Sequence, residues 1–356
     1  MKFNMLQFLR RLRHIRIPLI NAFSLYIDLG TTMTRLAVKE RGIVLREPTF
    51  LGYNTRAKDF VFFGREAQAI VGKTPDFIKI VRPINNGIIA DFDAEVALIK
   101  KYFETGLTPY LQQYRLLQPT LEALVSTPLA ATEIEKKAAS EALLKSGCAK
   151  VFIVEKPVAT AAGCGFDVFS HHPRLVVDLG GGLVEVSIVS GGGIVSYRSV
   201  KSAGEHMNRL IANYAYLKNG IILGENTCEQ IKTGLLNFNG EDKTATVRGK
   251  SLENGLPKSI KMKTQDIIEA LLPNFNQIID SIKELIEMSP PEIVDEIYEN
   301  GITLAGGLAA IAGIDAHLTK ELKIKVVRSD YYADATILGL IKLDENKPTL
   351  NNIIVT

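Results

Sequence analysis

The chain is poor in cysteine, has no long apolar run, and lacks a basic body. Its 356 residues include three cysteines, Cys148, Cys164 and Cys228. The count is odd and no spacing suits a metal, so the reading is free thiols in a reducing compartment, not a zinc site or disulfide framework. No run of 18 apolar residues occurs, so no segment is expected to span a bilayer. No low-complexity linker divides the chain, so its domains are expected to be joined by several crossings. Acids are absent from residues 1–22, where Lys2, Arg10, Arg11, Arg13 and Arg16 stand. These cations outnumber the net charge of +3, so the remainder is mildly acidic. That opposes a broad nucleic-acid-binding face. What is left is a composition of 46% hydrophobic and 23% charged residues, globular in type and long enough for two domains.

Two phrases nearly repeat. Tyr26-Ile27-Asp28-Leu29-Gly30-Thr31-Thr32 and Val176-Val177-Asp178-Leu179-Gly180-Gly181-Gly182 place Asp28 and Asp178 150 positions apart. Each reads as a buried strand, then an acid, then a tight turn. Two such phrases at half-chain spacing predict a duplicated domain with a cleft between the halves. Two such turns can hold the phosphates of a nucleotide from opposite sides, and each aspartate can face a metal ion.

On a helix, Met5, Phe8, Leu9, Leu12 and Ile15 share one arc, with Gln7, Arg10, Arg11 and His14 opposite. Arg13 and Arg16 flank the apolar arc, where long side chains snorkel. Pro18 stops the helix. This pattern suits a helix lying in a membrane interface, with arginines near anionic headgroups. It also suits a helix packed on the body or on a partner. A signal peptide would instead put its charges first, then an apolar run and a small-residue cleavage site.

The body alternates strands and helices. Strands are expected at 25–29, 34–39, 43–45, 121–126 and 151–154, with helices near 65–71, over 93–104 and after Thr132. The second half has strands at 175–179, 183–189 and 194–200, helices over 205–217 and 225–234, and a hairpin pairing 244–247 with 259–262. A long helix at 264–287 and a strand at 302–304 entering Gly306-Gly307 follow. The class is α/β.

Several stretches carry a family resemblance: Gly-Ile-Val-Leu-Arg-Glu-Pro at 42–48, Arg-Pro-Ile-Asn-Asn-Gly-Ile-Ile-Ala-Asp-Phe at 82–92, Gly-Glu-Asn-Thr-Cys-Glu-Gln-Ile-Lys at 224–232, and Gly-Ile-Thr-Leu-Ala-Gly-Gly at 301–307. With the two Asp-Leu-Gly phrases, they resemble the MreB family of bacterial actins, within the actin, Hsp70 and sugar-kinase superfamily. The resemblance runs from about Leu25 to Leu343. It implies an actin-like fold of two duplicated ribonuclease-H-like domains, each with a smaller subdomain, and a nucleotide cleft between them. The implied subdomains are IA (23–51, 85–165 and 335–356), IB (52–84), IIA (166–201 and 266–334) and IIB (202–265), after a membrane-binding helix at 1–22. The function implied is ATP-dependent, head-to-tail filaments in the cytoplasm, bound to the inner face of the cell membrane and serving cell shape. Met5, Phe8, Leu9, Arg10, Arg11, Leu12 and Arg13 would meet the membrane. Partners are other copies and paralogous actin-like proteins.

By the same resemblance, Gly30, Thr31, Thr32 and Met33 form the first phosphate loop, and Gly180, Gly181 and Gly182 the second. Asp28 and Asp178 hold waters around Mg²⁺, which keeps much of its hydration shell. Glu229 and Lys232, at i and i+3 on one helix face, contact adenosine with Gly204 near them. Gly306, Gly307, Leu308 and Ala309 form the loop where backbone approaches adenosine.

Three departures bear on hydrolysis. The family has Glu-Glu-Pro where this chain has Glu155-Lys156-Pro157, and the residue before the proline orients the attacking water. A lysine ammonium cannot accept a hydrogen bond from that water. Glu155 is not expected to substitute, because neighbouring strand residues face opposite ways. Leu183 and Val184 replace two threonines, removing hydroxyls expected near the γ-phosphate. Leu308 replaces a glycine. The expectation is a protein that binds ATP and hydrolyses it slowly or not at all. The competing readings are a fully active filament ATPase, a sugar kinase of the same superfamily, and a soluble adaptor that does not polymerise.

Overall fold

The computed structural model describes residues 22–112, 114, 119–345 and 353–355. The amphipathic segment at 2–16, with Met5, Phe8, Leu9, Arg10, Arg11, Leu12 and Arg13, lies outside them. The described chain divides into two compact units. The first runs to Gln68 and takes up Ile78–Lys156 and the segment from Leu340; the second comprises Ala69–Phe77 and Pro157–Gly339.

The first unit is built on a mixed sheet. Its strands are β1 (Phe23–Leu29), β2 (Met33–Val38), β3 (Gly42–Pro48), β4 (Leu121–Thr127) and β5 (Lys150–Glu155). They lie in the order β3-β2-β1-β4-β5, and Ile354–Val355 adds an antiparallel edge beyond β5. The two hairpin pairings are antiparallel, and the β1–β4 and β4–β5 pairings are parallel. Both faces of β1 are covered: Leu25, Tyr26 and Ile27 are all buried. That is why its sequence reads as an apolar run and not as an alternation.

Two helices cover this sheet. Helix α1 (Phe92–Leu111) starts at Asp91, whose side chain accepts from the Ala94 amide at 3.1 Å. It runs past the expected end at 104 to Leu111, with Pro109 tolerated in its last turn. Helix α2 (Glu133–Lys145) opens on a capping box, in which the Thr132 amide donates to Glu135 at 2.7 Å.

The second unit repeats the strand order. Strands β6 (Arg174–Leu179), β7 (Val184–Ser190), β8 (Gly193–Val200), β9 (Ile302–Ala305) and β10 (Val326–Arg328) lie as β8-β7-β6-β9-β10. The two hairpin pairings are again antiparallel and the other two parallel. Each unit also carries a small three-stranded sheet: Leu51–Asn54, Asp59–Phe63 and Ile78–Val81 in the first, and Ile221–Ile222, Thr244–Ser251 and Pro257–Lys263 in the second. Chain crossings occur at Lys156–Pro157 and Gly339–Leu340, inside helices α3 (Lys156–Gly163) and α8 (Ala335–Glu345). Between these in the second unit lie α4 (Gly204–Asn219), α5 (Glu225–Leu235), α6 (Thr264–Glu287) and α7 (Pro291–Asn300).

One acid lies in the core of the first unit. Glu95, on the inner face of α1 with Leu98, Ile99 and Tyr102, is 0% exposed, and neither carboxylate oxygen has a hydrogen-bond partner among the described residues. Burial pushes its carboxyl from the ordinary 4.5 up to about 8. The folded chain therefore holds this proton between those values while the unfolded chain releases it. Stability must fall as pH rises through that window. Glu95→Gln, which mimics the protonated acid, is expected to match the parent near pH 5. At pH 8 it is expected to exceed it by about 4 kcal/mol in urea unfolding. An equal difference at both pH values would contradict this.

Candidate functional site

The parallel strands of each sheet end on the residues singled out by sequence, at the carboxyl edge where open α/β sheets bind ligands. In the first unit, Asp28 pairs in register with Ser126 of β4, which pairs with Val154 of β5. Asp28–Gly30, Ser126–Pro128 and Lys156 therefore lie along one edge. In the second unit, Asp178 is in register with Ala305, so Gly180 and Gly306 emerge side by side.

The two turns share a close approach. A Cβ on Gly30 would lie 2.5 Å from the Met33 carbonyl oxygen, and one on Gly180 would lie 2.5 Å from that of Leu183. Only glycine fits either position without moving backbone.

In the first turn, Thr31 Oγ1 accepts from the Gly87 amide at 2.8 Å. The Asn-Asn-Gly segment is thereby tied to the loop. Thr49, 0% exposed, donates to the Gly30 carbonyl at 2.7 Å and lies 3.0 Å from Thr34 Oγ1. Its amide also donates to the Thr32 carbonyl at 3.0 Å. Sequence reasoning missed Thr49; its only signal was its place next to the Glu-Pro pair at 47–48. Asp28 is buried, with Oδ2 3.2 Å from Arg35 and Oδ1 accepting from Ser126 at 3.4 Å. A carboxylate has about four lone-pair sites. Capacity therefore remains for a metal-bound water, but not for a role free of Arg35.

In the second turn, the Glu205 amide donates to the Gly181 carbonyl at 2.8 Å and the Gly204 amide to the Gly180 carbonyl at 3.3 Å. A trans peptide points its N–H opposite to its C=O. With those carbonyls held by the start of α4, the amides of Gly181 and Gly182 face away from it. They form a donor concavity for an anion.

Helix α5 carries Glu229 and Lys232 side by side. Lys232 is 4% exposed and donates to the Gly204 carbonyl at 2.9 Å and to Glu229 Oε2 at 2.7 Å. Glu229 also accepts from Asn208 Nδ2 at 2.7 Å, and the buried Asn208 Oδ1 has no hydrogen-bond partner among the described residues. Asn208 was not visible in the sequence reading. On the same helix, burial pushes the Cys228 thiol up to about 11, so it is a protonated core residue.

Gly306, at φ 85°, packs so closely that a Cβ would overlap Asp178 Oδ1 and lie 2.5 Å from the Leu179 carbonyl oxygen. Gly307 to Ala310 form a single 3₁₀ turn, with the Ala309 amide donating to the Gly306 carbonyl at 3.1 Å. Leu308 is 8% exposed, and its Cδ2 would be 3.3 Å from a Cβ on Gly204. It fills the space beside Gly204.

Two expectations change. Lys156 is not a strand residue: β5 ends at Glu155, and Lys156 is the first residue of α3. Strand alternation therefore does not decide between Glu155 and Lys156; the helix start does. Val184 is 0% exposed and belongs to the apolar core of its unit. Its missing hydroxyl is a core substitution and not the loss of a phosphate-side group.

Each unit's turn, taken by itself, fits a phosphate: glycine alone fits at 30 and at 180, and the Gly181 and Gly182 amides face outward. In the first unit, Asp28 keeps lone-pair capacity that suits a metal-bound water. Among the described residues no cluster of three or more His, Cys, Asp or Glu forms a direct metal cage. No helix among them is long and apolar enough to cross a membrane.

Comparison with known proteins agrees with this geometry. The family model described as MreB/Mbl protein matches residues 22–352. The cell shape-determining protein Mbl of Bacillus cereus (strain ATCC 10987 / NRS 248) is 34% identical over 323 residues, 90% of this chain and 95% of that protein. The cell shape-determining protein MreB of Escherichia coli (strain K12) is 34% identical over 309 residues, 85% of this chain and 88% of that one. The structure of MreB5 of Spiroplasma citri bound to ADP superposes with a TM-score of 0.86 at 30% identity, covering 93% of this chain and 98% of that chain. Fold, turns and relatives agree, and the chain belongs to the MreB/Mbl family, with its actin-like α/β fold.

Proposed function

We propose that this chain is a cytoskeletal protein that binds ATP with Mg²⁺ and forms filaments on the inner face of the cell membrane, serving cell shape. The observation that carries the reading is the pair of equivalent hairpin turns at Gly30 and Gly180, each admitting only glycine. Solved MreB5 structures of Spiroplasma citri hold ADP and AMPPNP, and the curated relatives are named for cell shape. The repeated strand order supports descent of both domains from one ribonuclease-H-like ancestor. The small sheets at 51–81 and 221–263 correspond to subdomains IB and IIB. Gly30–Met33 and Gly180–Gly182 would hold the phosphates. Glu229, Lys232, Gly204 and Gly306–Ala309 would line the adenosine side, with Asp28 and Asp178 around the metal's waters. The bound metal supplies charge neutralisation for the phosphates. Hydrolysis is slow or absent because Lys156 offers no acceptor to a water.

One sedimentation experiment tests the assembly. With ATP and no lipid, the full chain is expected to pellet as filaments. With phosphatidylglycerol vesicles, it is expected to co-sediment with lipid, and a chain lacking residues 1–18 is expected to lose most of that lipid-bound fraction. A single helix binds weakly, and a filament multiplies it. Absence of ATP-dependent pelleting would overturn the filament reading. Equal vesicle binding by both chains would overturn the membrane reading.

A further inference from the structure

The small sheet of the second unit has one strand cut short. Ile221–Ile222 pairs only with the end of Thr244–Ser251, with Ile222 opposite Lys250. At Gly224 the chain turns away to start α5. The strand place beside Thr244–Gly249 is therefore open on that side, while Pro257–Lys263 fills the other.

The ladder fixes which backbone groups face the open side. The Thr264 amide donates to the Lys243 carbonyl, and the Ser251 amide to the Leu256 carbonyl. Antiparallel pairs alternate between bonded and non-bonded, so the odd-numbered residues from 243 to 251 bond to the neighbouring strand. The even-numbered residues aim their N–H and C=O groups the other way. Ile222 covers Lys250. Thr244, Thr246 and Arg248 are left with a row of backbone donors and acceptors that pairs with no strand among the described residues.

A groove of about 480 Å³ runs along this edge, within the ordinary range of ligand sites. The strand supplies one wall and α5 the other. Ile231, Leu235 and Val247 are buried in the core and give the groove an apolar floor. Gly234 lines it too. That residue is helical, α5 ends on Leu236 and not on this glycine, and a Cβ added there would meet nothing within 4 Å. Neither packing nor capping requires glycine at this position, and helix propensity disfavours it. Its effect is to keep the groove wide. None of the residues assigned above to a nucleotide lines this groove.

Charge restricts what can enter. Directly opposed strand residues share a face, as do residues i and i+2. Arg248, Lys250, Lys261 and Lys263 therefore form one exposed strip on the outer face of the sheet, next to the open edge. None of the four makes an ion pair among the described residues. Such a strip repels a second copy of the same edge, a usual guard against self-pairing. Residues 1–22 of the chain are cationic as well and suit it no better. An acidic strand is attracted. Side chains alternate between the two faces of a strand, so an added strand would present one set to the apolar floor and the other to the cationic face.

We propose that the edge Thr244–Arg248 and helix α5 form a docking groove for an extended peptide of a partner protein, which adds a strand to the sheet and alternates apolar with acidic side chains. In strand addition, main-chain pairing gives affinity and the alternate side chains give specificity. The groove stands apart from the nucleotide residues, so it does not depend on the function proposed above.

Fluorescence anisotropy of a labelled octapeptide alternating glutamate and valine tests this on the full chain. ATP is left out, so neither nucleotide binding nor assembly enters. Saturable binding is expected. A peptide alternating lysine and valine is expected to bind at least about tenfold more weakly. Gly234→Leu, which fills the groove, is expected to weaken binding of the glutamate peptide by about tenfold or more. Its melting temperature is expected to be unchanged or higher, since leucine is the better helix former. Thr246→Pro removes an outward N–H and no ladder bond, and is expected to weaken binding about five- to tenfold. Absence of saturable binding by the parent overturns the proposal. So does equal binding of the two peptides. Parental affinity in Gly234→Leu also overturns it, because it would leave only attraction to the cationic strip. Parental affinity in Thr246→Pro would exclude strand addition.

Discussion

Lys156→Glu is expected to raise the rate of phosphate release from ATP by about 10²-fold or more, the usual contribution of a positioned acid–base or water-orienting group. Lys156 is the first residue of α3, held by Pro157 behind it and by the end of β5 before it. It lies on the same carboxyl edge as Asp28, where parallel strands present their ligand-binding turns. An ammonium has three donors and no acceptor, so a water beside it cannot be aligned through its own O–H. A glutamate restores the acceptor. It also places an acid in the first turn of α3, which has none, so the exchange favours the helix and is not expected to harm folding.

Lys156→Ala separates the two effects. It removes the positive charge without supplying an acceptor, and is expected to leave release slow. The core placement of Val184 narrows the departures that bear on hydrolysis to Lys156 and Leu183, and Lys156 is the one at the water-orienting position. Release by the parent chain at a rate that Lys156→Glu does not increase would remove slow hydrolysis from the proposed function.

The sequence announced the turns because each is encoded by contiguous residues under strong local constraint. An apolar run covered on both faces, an acid and a glycine that tolerates no Cβ can be read without knowing what packs against them. The repeat of strand, turn and hairpin strand was legible for the same reason, whereas the order of the strands in each sheet came only from their pairing. What was not legible depends on distant partners. Thr49 acts on Gly30, 19 positions away, and Asn208 reaches Glu229 on another helix. Asp28 reads as a bare metal-facing acid until the register sets Arg35 opposite it. Val184 reads as a lost hydroxyl until its burial is known. Glu95 falls on the apolar face of a helix, where a sequence pattern alone treats an acid as noise.

Gly339→Ala is expected to destabilise the protein by at least about 3 kcal/mol, although helix propensity alone predicts a gain of up to about 1 kcal/mol. Helices α3 and α8 cross with glycine on each side of the contact. A Cβ on Gly339 would overlap the Ala159 carbonyl and lie 2.9 Å from the Gly163 amide, while a Cβ on Gly163 would overlap the Ala335 carbonyl. Thr160 and Thr336 hydroxyls, 2.9 Å apart and buried, fix the same crossing one turn earlier on each helix. The obstructing atoms are backbone of a packed helix, so no side-chain rotation relieves the overlap and the axes must separate. Overpacking usually costs about 1–3 kcal/mol, and a backbone obstruction belongs at or above the upper end. For a unit of this size, about 3 kcal/mol corresponds to a melting temperature lower by roughly 6–12 °C. Thr160→Val, which removes the hydroxyl bond and keeps the volume, is expected to cost about 1 kcal/mol. Thermal unfolding of the two variants beside the parent measures the contrast. An unchanged or raised melting temperature for Gly339→Ala would mean that the crossing has room for a methyl group and that propensity, not packing, governs it.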